Sequence, residues 1–224
     1  FPMEYKTNQD AYVDLVINEM LPAIQKENLA DYIDVFCERN YFSPEQLERI
    51  LEAGTKAGLK PKIHVNQFSI LGGVEIGVRH GAVSVDHLEE LDENDIIALD
   101  KSNTIATALP SCSFFLGIPY SPVRTMLNNN LAVALASDYN PGSTPSGNMQ
   151  FVNSLACIQM KLTPEEALNA TTINGAYAME LGSELGSITL GKKANLIITK
   201  EIPSLNYLPY SFGENKIERV ILSR

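Results

Sequence analysis

Three polar residues stand at the ends of apolar, strand-like runs in this 224-residue chain. His64 lies within Lys62-Ile-His-Val-Asn-Gln-Phe68, and His87 closes Ala82-Val-Ser-Val-Asp-His-Leu88. Asp138 ends Leu131-Ala-Val-Ala-Leu-Ala-Ser-Asp138, just before the Asn140-Pro-Gly142 turn. Apolar and small residues leading straight into a carboxylate read as a buried parallel strand that delivers one acid at its C-terminal end. Such a carboxylate is costly to bury without a cation or metal beside it. Neutral imidazole suits Zn²⁺ or Fe²⁺. Parallel α/β barrels carry their catalytic groups at the C-terminal ends of strands, so two histidines and an aspartate so placed predict a metal-assisted hydrolase.

The elements around these residues alternate. Tyr12, Val13, Val16, Ile17, Met20, Leu21 and Ile24 recur at helical spacing, which predicts an amphipathic helix over 10–28. A β-like run at Tyr32–Cys37 follows, then the capping box Ser43-Pro-Glu-Gln46 opening a helix that stops at Gly58. Strands are predicted over 61–67, 82–87, 103–109 and 131–137. Between them come a short helix from Gly72-Gly73 to His80, one capped by Asp92, and one opened by Ser121-Pro122. Five strand candidates fall short of the eight in a closed barrel. A helical region with a second capping box, Thr163-Pro-Glu-Glu166, comes next. After Gly182 the character shifts to turn-rich, β-branched runs at 186–199 and 218–222. The expected division is a partial (β/α) barrel over 1–182 and part of a small β module over 183–224.

Composition narrows the class. A hydrophobic content of 45% suits a globular core, and a formal charge of −10 argues against a nucleic-acid or anionic-membrane surface. Three cysteines without a C-x-x-C spacing fit free thiols in a reducing, cytoplasmic setting. Glu89-Glu90 and Asp92-Glu93 read as a solvated face with a helix cap. His80 reads as the end of a surface helix, and Cys37 and Cys112 as buried thiols. The chain begins Phe-Pro-Met and ends Val-Ile-Leu-Ser-Arg inside an apolar pattern, so both ends look cut.

Several stretches carry a family resemblance in one order: Tyr12-Val-Asp-Leu-Val16, Asn18-Glu-Met-Leu-Pro22, Asp34-Val-Phe-Cys-Glu38, Lys62-Ile-His64 and Gly72-Gly73. Ser84-Val-Asp-His-Leu-Glu89, Ala134-Leu-Ala-Ser-Asp-Tyr-Asn-Pro-Gly142, Leu162-Thr-Pro-Glu-Glu-Ala-Leu168 and Gly191-Lys-Lys-Ala-Asn-Leu196 continue it. Together they resemble the metal-dependent amidohydrolase superfamily and, within it, the imidazolonepropionase family of histidine degradation. The resemblance implies an α/β fold, the later part (about strands 4–8) of a (β/α)8 TIM-type barrel with part of a small β-sandwich module. It also implies the C-terminal half of a longer enzyme. The family's H-x-H metal pair and its substrate-binding Arg, Tyr and His are absent from this chain.

Residue by residue, the resemblance makes His64 a metal ligand and Asp138 a ligand that also takes the proton of the attacking water. His87 polarises the substrate carbonyl or shuttles a proton. Asn140, Gly142 and Ser143 match contacts to substrate or product, and on residue grounds their turn could offer backbone N–H groups to a carboxylate. Gln67 departs from the glutamate the family more often has; it can bind a ring nitrogen but cannot act as a base. The implied reaction is hydrolysis of 4-imidazolone-5-propanoate to N-formimidoyl-L-glutamate with one zinc or iron ion, by a homodimer when full length. A nucleobase deaminase of the superfamily and a non-catalytic homologue or inert fragment are the alternatives. A binuclear hydrolase would require a bridging lysine that 32–38 lacks. This chain alone is expected to be inactive.

Overall fold

The computed structural model describes residues 1–223; Arg224, the last residue of the expected β module, lies outside them. The chain divides into two compact units, Phe1–Thr104 and a second from Ile105 onward.

In the first unit, Asn8 Oδ1 accepts the Ala11 N–H and starts α1 (Gln9–Leu15). The helix expected to run to 28 is interrupted by a π-helical turn at Val16–Met20 before α2 (Leu21–Glu27). Pro22 is the physical reason: it lacks the N–H an unbroken α-helix would require there, and the wider turn absorbs the loss. Then follow β1 (Tyr32–Cys37), α3 (Pro44–Lys56), β2 (Lys60–Val65), α4 (Gly73–Arg79), β3 (Ser84–His87) and α5 (Glu93–Asp100). Ser43 with Gln46 and Asp92 with Asp95 form complete capping boxes on α3 and α5.

β1, β2 and β3 pair in parallel, with Phe36 opposite His64 and His64 opposite Asp86. Side chains alternate across the strands. Val35, Cys37, Ile63, Val65 and Val85 are buried on one face. Helical glycines let α3 and α4 approach that face closely: a Cβ on Gly54 would sit 2.7 Å from Ile33 Cγ2, and one on Gly77 would sit 2.5 Å from Ile63 Cδ1. Asp34, Phe36, Lys62, His64, Ser84 and Asp86 therefore share the opposite face.

The second unit contains β4 (Ile105–Ala108), α6 (Pro110–Leu116), α7 (Val123–Asn128), β5 (Val133–Leu135), α8 (Met149–Ile158), α9 (Pro164–Thr171) and α10 (Ile173–Ala178). β4 and β5 pair in parallel, Ala106 opposite Val133. Helix α6 is absent from the sequence reading because its apolar residues lack a polar stripe. Pro110 at its start and Gly117, closing it at φ 67°, are the signals that could have found it. Later, β6 (Leu196–Thr199) and β7 (Ile217–Ile221) pair antiparallel, with the short α11 (Tyr207–Tyr210) between them. From α8, Gln150 donates to Asn215 Oδ1 (3.1 Å) and accepts the Lys216 N–H (2.9 Å), tying this segment down. Among the described residues, no helix is long and apolar enough to cross a membrane.

Candidate active site

His64 stands on β2 with its Nδ1 at 2.9 Å from Asp34 Oδ1 on β1. A carboxylate only accepts, so Nδ1 carries the proton, and in the neutral ring Nε2 then holds the lone pair. Metal-ligating histidines are typically oriented by such a carboxylate. Sequence reasoning missed Asp34, because the bond crosses from one strand to the next and no local pattern reports it.

His87 is brought to His64, with ring centroids 5.4 Å apart, and lies 6.1 Å from the Phe36 ring. Strict alternation would send His87 and Asp86 to opposite faces, yet Asp86 lies opposite His64 and accepts from Ser84 Oγ at 2.8 Å. The alternation fails because His87 and Leu88 have φ of 89° and 59°, ending the strand with a left-handed twist. That twist also corrects the expectation for Glu89. It is not part of a solvated face but is buried, with its carboxylate oxygens 3.4 and 3.5 Å from His87 Nδ1.

Gln67 is buried on the loop after β2. Glu38, at the end of β1 and only 1% exposed, clamps that loop. It accepts from the N–H groups of Phe68 (2.9 Å) and Ser69 (3.1 Å), from the Ser69 hydroxyl, and from the Arg39 N–H (2.7 Å). Asn66, at φ 57°, donates from Nδ2 to the fully buried Asp95 at 2.9 Å. Burial pushes the Asp95 carboxyl up to about 6; the charges of Asp92 and Glu75 add to this, and its bonds from Asp92 N–H and Asn66 oppose it. Burial, then the Glu38 charge, push the Cys37 thiol up to about 12, which leaves no thiolate for nucleophilic work. His80 closes α4 with Nε2 at 3.0 Å from Glu48 Oε1.

In the second unit Asp138 follows β5 at φ 53°. Ser143 Oγ donates to Asp138 Oδ2 at 2.9 Å, and Asn140 Nδ2 donates to Ser143 Oγ (2.7 Å) and Asp138 O (2.8 Å). The N–H groups of Gly142 and Ser143, expected to face a ligand, both donate to Asn140 Oδ1 at 2.8 Å.

An imidazole of fixed tautomer, a second imidazole against a buried carboxylate, and a carboxylate anchored at a strand end are parts suited to metal-assisted hydrolysis. A model of the amidohydrolase family matches residues 38–223. The chain belongs to the amidohydrolase family. It is 61% identical to the imidazolonepropionase of Christiangramia forsetii and 60% identical to that of Flavobacterium johnsoniae, over 99% of this chain and 54% of each relative. This amidohydrolase chain thus spans about half the length of the curated relatives it matches. Its backbone is similar to a zinc-bound adenosine deaminase from Xanthomonas campestris, with TM-score 0.73 at 18% identity over 91% of this chain and 54% of that one. An amidohydrolase from a Sargasso Sea sample gives TM-score 0.73 at 16% identity, over 94% of this chain and 53% of that one. These likenesses establish the fold as part of an amidohydrolase (β/α)8 barrel.

Proposed function

We propose that the full-length protein containing this chain hydrolyses the cyclic amide of 4-imidazolone-5-propanoate to N-formimidoyl-L-glutamate. The observation that carries the reading is the 58–61% identity, over 99% of the chain, to three proteins named imidazolonepropionase. The proposal assigns one metal ion, zinc or iron, to His64 and Asp138 with ligands from elsewhere in the full protein. The donor set fits: the Asp34 bond gives His64 the tautomer a metal requires, and Asp138 supplies a hard anionic oxygen. When bound, the metal supplies Lewis acidity and lowers the pKa of water.

Asp138 takes the proton of the attacking water and returns it to the leaving ring nitrogen. His87 hydrogen-bonds the carbonyl oxygen as negative charge develops there. Gln67 holds a ring nitrogen by hydrogen bond without proton transfer. Asn140, Gly142 and Ser143 form the turn that meets substrate or product beside Asp138. The proposal also takes 1–182 as barrel and 183–224 as part of a β module, and a cytoplasmic homodimer as the working form. The antiparallel β6–β7 pair supports that division.

The test is purified full-length protein, zinc- or iron-loaded, given 4-imidazolone-5-propanoate, with N-formimidoyl-L-glutamate quantified by mass spectrometry. Stoichiometric conversion is the expected result. No conversion, or deamination of a nucleobase at higher kcat/KM, overturns the reading.

A further inference from the structure

We infer that Asn140 and Ser143 act through Asp138, as positioning residues that lock its carboxylate by a two-step hydrogen-bond relay. The inference rests on the reading of Asp138 as a metal ligand and deepens it.

The direction of the relay follows from donor and acceptor chemistry. A carboxylate only accepts, so the single Ser143 hydroxyl proton goes to Asp138 Oδ2 at 2.9 Å. That oxygen must then accept at Oγ from Asn140 Nδ2, 2.7 Å away. The second Nδ2 proton goes to the Asp138 carbonyl at 2.8 Å, so Asn140 grips both the backbone and, through Ser143, the side chain of the same residue. On its other side Asn140 Oδ1 accepts from the N–H groups of Gly142 and Ser143, each at 2.8 Å. A primary amide offers two donors and two lone pairs, and all four are used inside this turn. The backbone closes the same ring, Asn140 N–H to Thr144 O at 3.0 Å and Thr144 N–H to Asn140 O at 3.2 Å.

Asp138 itself supplies the reason for so dense a lock. Its φ of 53° is left-handed, a region that non-glycine residues hold only when their surroundings impose it. The relay also distinguishes the carboxylate oxygens: Oδ2 accepts from Ser143, and Oδ1 takes no part in the relay. Orienting partners of metal ligands typically change metal affinity by about 10–100-fold when removed.

The experiment uses the zinc-loaded full-length protein and the variants Asn140→Ala, Ser143→Ala, Ser143→Thr and Asp138→Asn, each checked for folding by circular dichroism. Two quantities are read: zinc retention against a competing chelator, and kcat with KM for 4-imidazolone-5-propanoate. Asn140→Ala and Ser143→Ala should each weaken zinc retention by about 10–100-fold and lower kcat, whatever KM change their place in the substrate-facing turn adds. A further variant combining Asn140→Ala with Ser143→Ala should lose less than the product of the two single losses, because both act along one relay. Ser143→Thr keeps the hydroxyl and should retain zinc far better than Ser143→Ala. If Asn140→Ala and Ser143→Ala keep wild-type zinc retention, they do not position Asp138 and the inference is wrong, with the reading of Asp138 intact. If Asp138→Asn itself retains zinc at wild-type affinity, the reading of Asp138 fails instead.

Discussion

Asp95 sits without solvent exposure at the third position of α5 and holds Asn66, the residue between Val65 and Gln67. Its Oδ2 accepts from Asp92 N–H (3.0 Å) and Asn66 Nδ2 (2.9 Å), while Oδ1 has no partner among the described residues. Burial raises its pKa from 3.8 to about 6. At about 1.4 kcal/mol per pKa unit, keeping Asp95 ionised costs the fold about 3 kcal/mol at neutral pH. Below the unfolded value both states are protonated and nothing is lost. Between 3.8 and about 6 the native state binds more protons than the unfolded state, so stability falls as pH rises; above that window the cost is complete. Asp95→Asn keeps an oxygen for both accepted bonds and removes the charge. It should be more stable than the parent by about 1–3 kcal/mol at pH 7.5, with an advantage roughly 1 kcal/mol smaller at pH 5. Urea unfolding of the full-length protein at both pH values measures this, with chelator present so that metal binding does not contribute. A variant equally destabilised at both pH values would show that the charge is not what the buried site opposes.

Three further outcomes follow from the packing and the site. Glu38→Ala leaves the N–H groups of Arg39, Phe68 and Ser69 and the Ser69 hydroxyl without their acceptor. It should cost about 3 kcal/mol or more in urea unfolding; a loss below about 1 kcal/mol contradicts the clamp. Gly54→Ala drives a Cβ to 2.7 Å from Ile33 Cγ2 and 2.9 Å from Ile33 Cβ, on a β-branched side chain that cannot swing aside. It should cost about 1–3 kcal/mol, and a neutral result would mean that α3 shifts freely on β1. Asp138→Asn should lower kcat/KM by several orders of magnitude, Gln67→Ala by the equivalent of about 1–3 kcal/mol, and Gln67→Glu should be tolerated. A Gln67→Ala loss as deep as that of Asp138→Asn would show that the proton roles are misassigned.

What the sequence made legible was local. Ser43 with Gln46 and Thr163 with Glu166 reported helix starts within four residues, and both boxes form. Apolar runs located the five parallel strands found among the described residues, because β-branched and small residues in short buried stretches leave few alternatives. His64 and His87 were legible as a pair of strand-end histidines, and the structure brings their rings together. The support around them was not. The Asp34–His64 bond and the Glu38 clamp join residues about thirty positions apart, and pairings of that kind have no sequence period. Glu89 reads from sequence as solvent-facing because charged runs usually face water; only the positive φ at His87 and Leu88 turns it inward. The π-helical turn at Val16–Met20 was available in principle from Pro22, whose missing N–H breaks an otherwise smooth helical pattern.

The most direct test of the central claim is a crystal structure of the zinc-loaded full-length protein with anomalous diffraction across the zinc edge. One peak of full occupancy is expected, with His64 Nε2 and an Asp138 carboxylate oxygen each about 2.0–2.2 Å from it and the Asp34–His64 bond intact. A metal held at full occupancy by a ligand set lacking both His64 and Asp138 would contradict it.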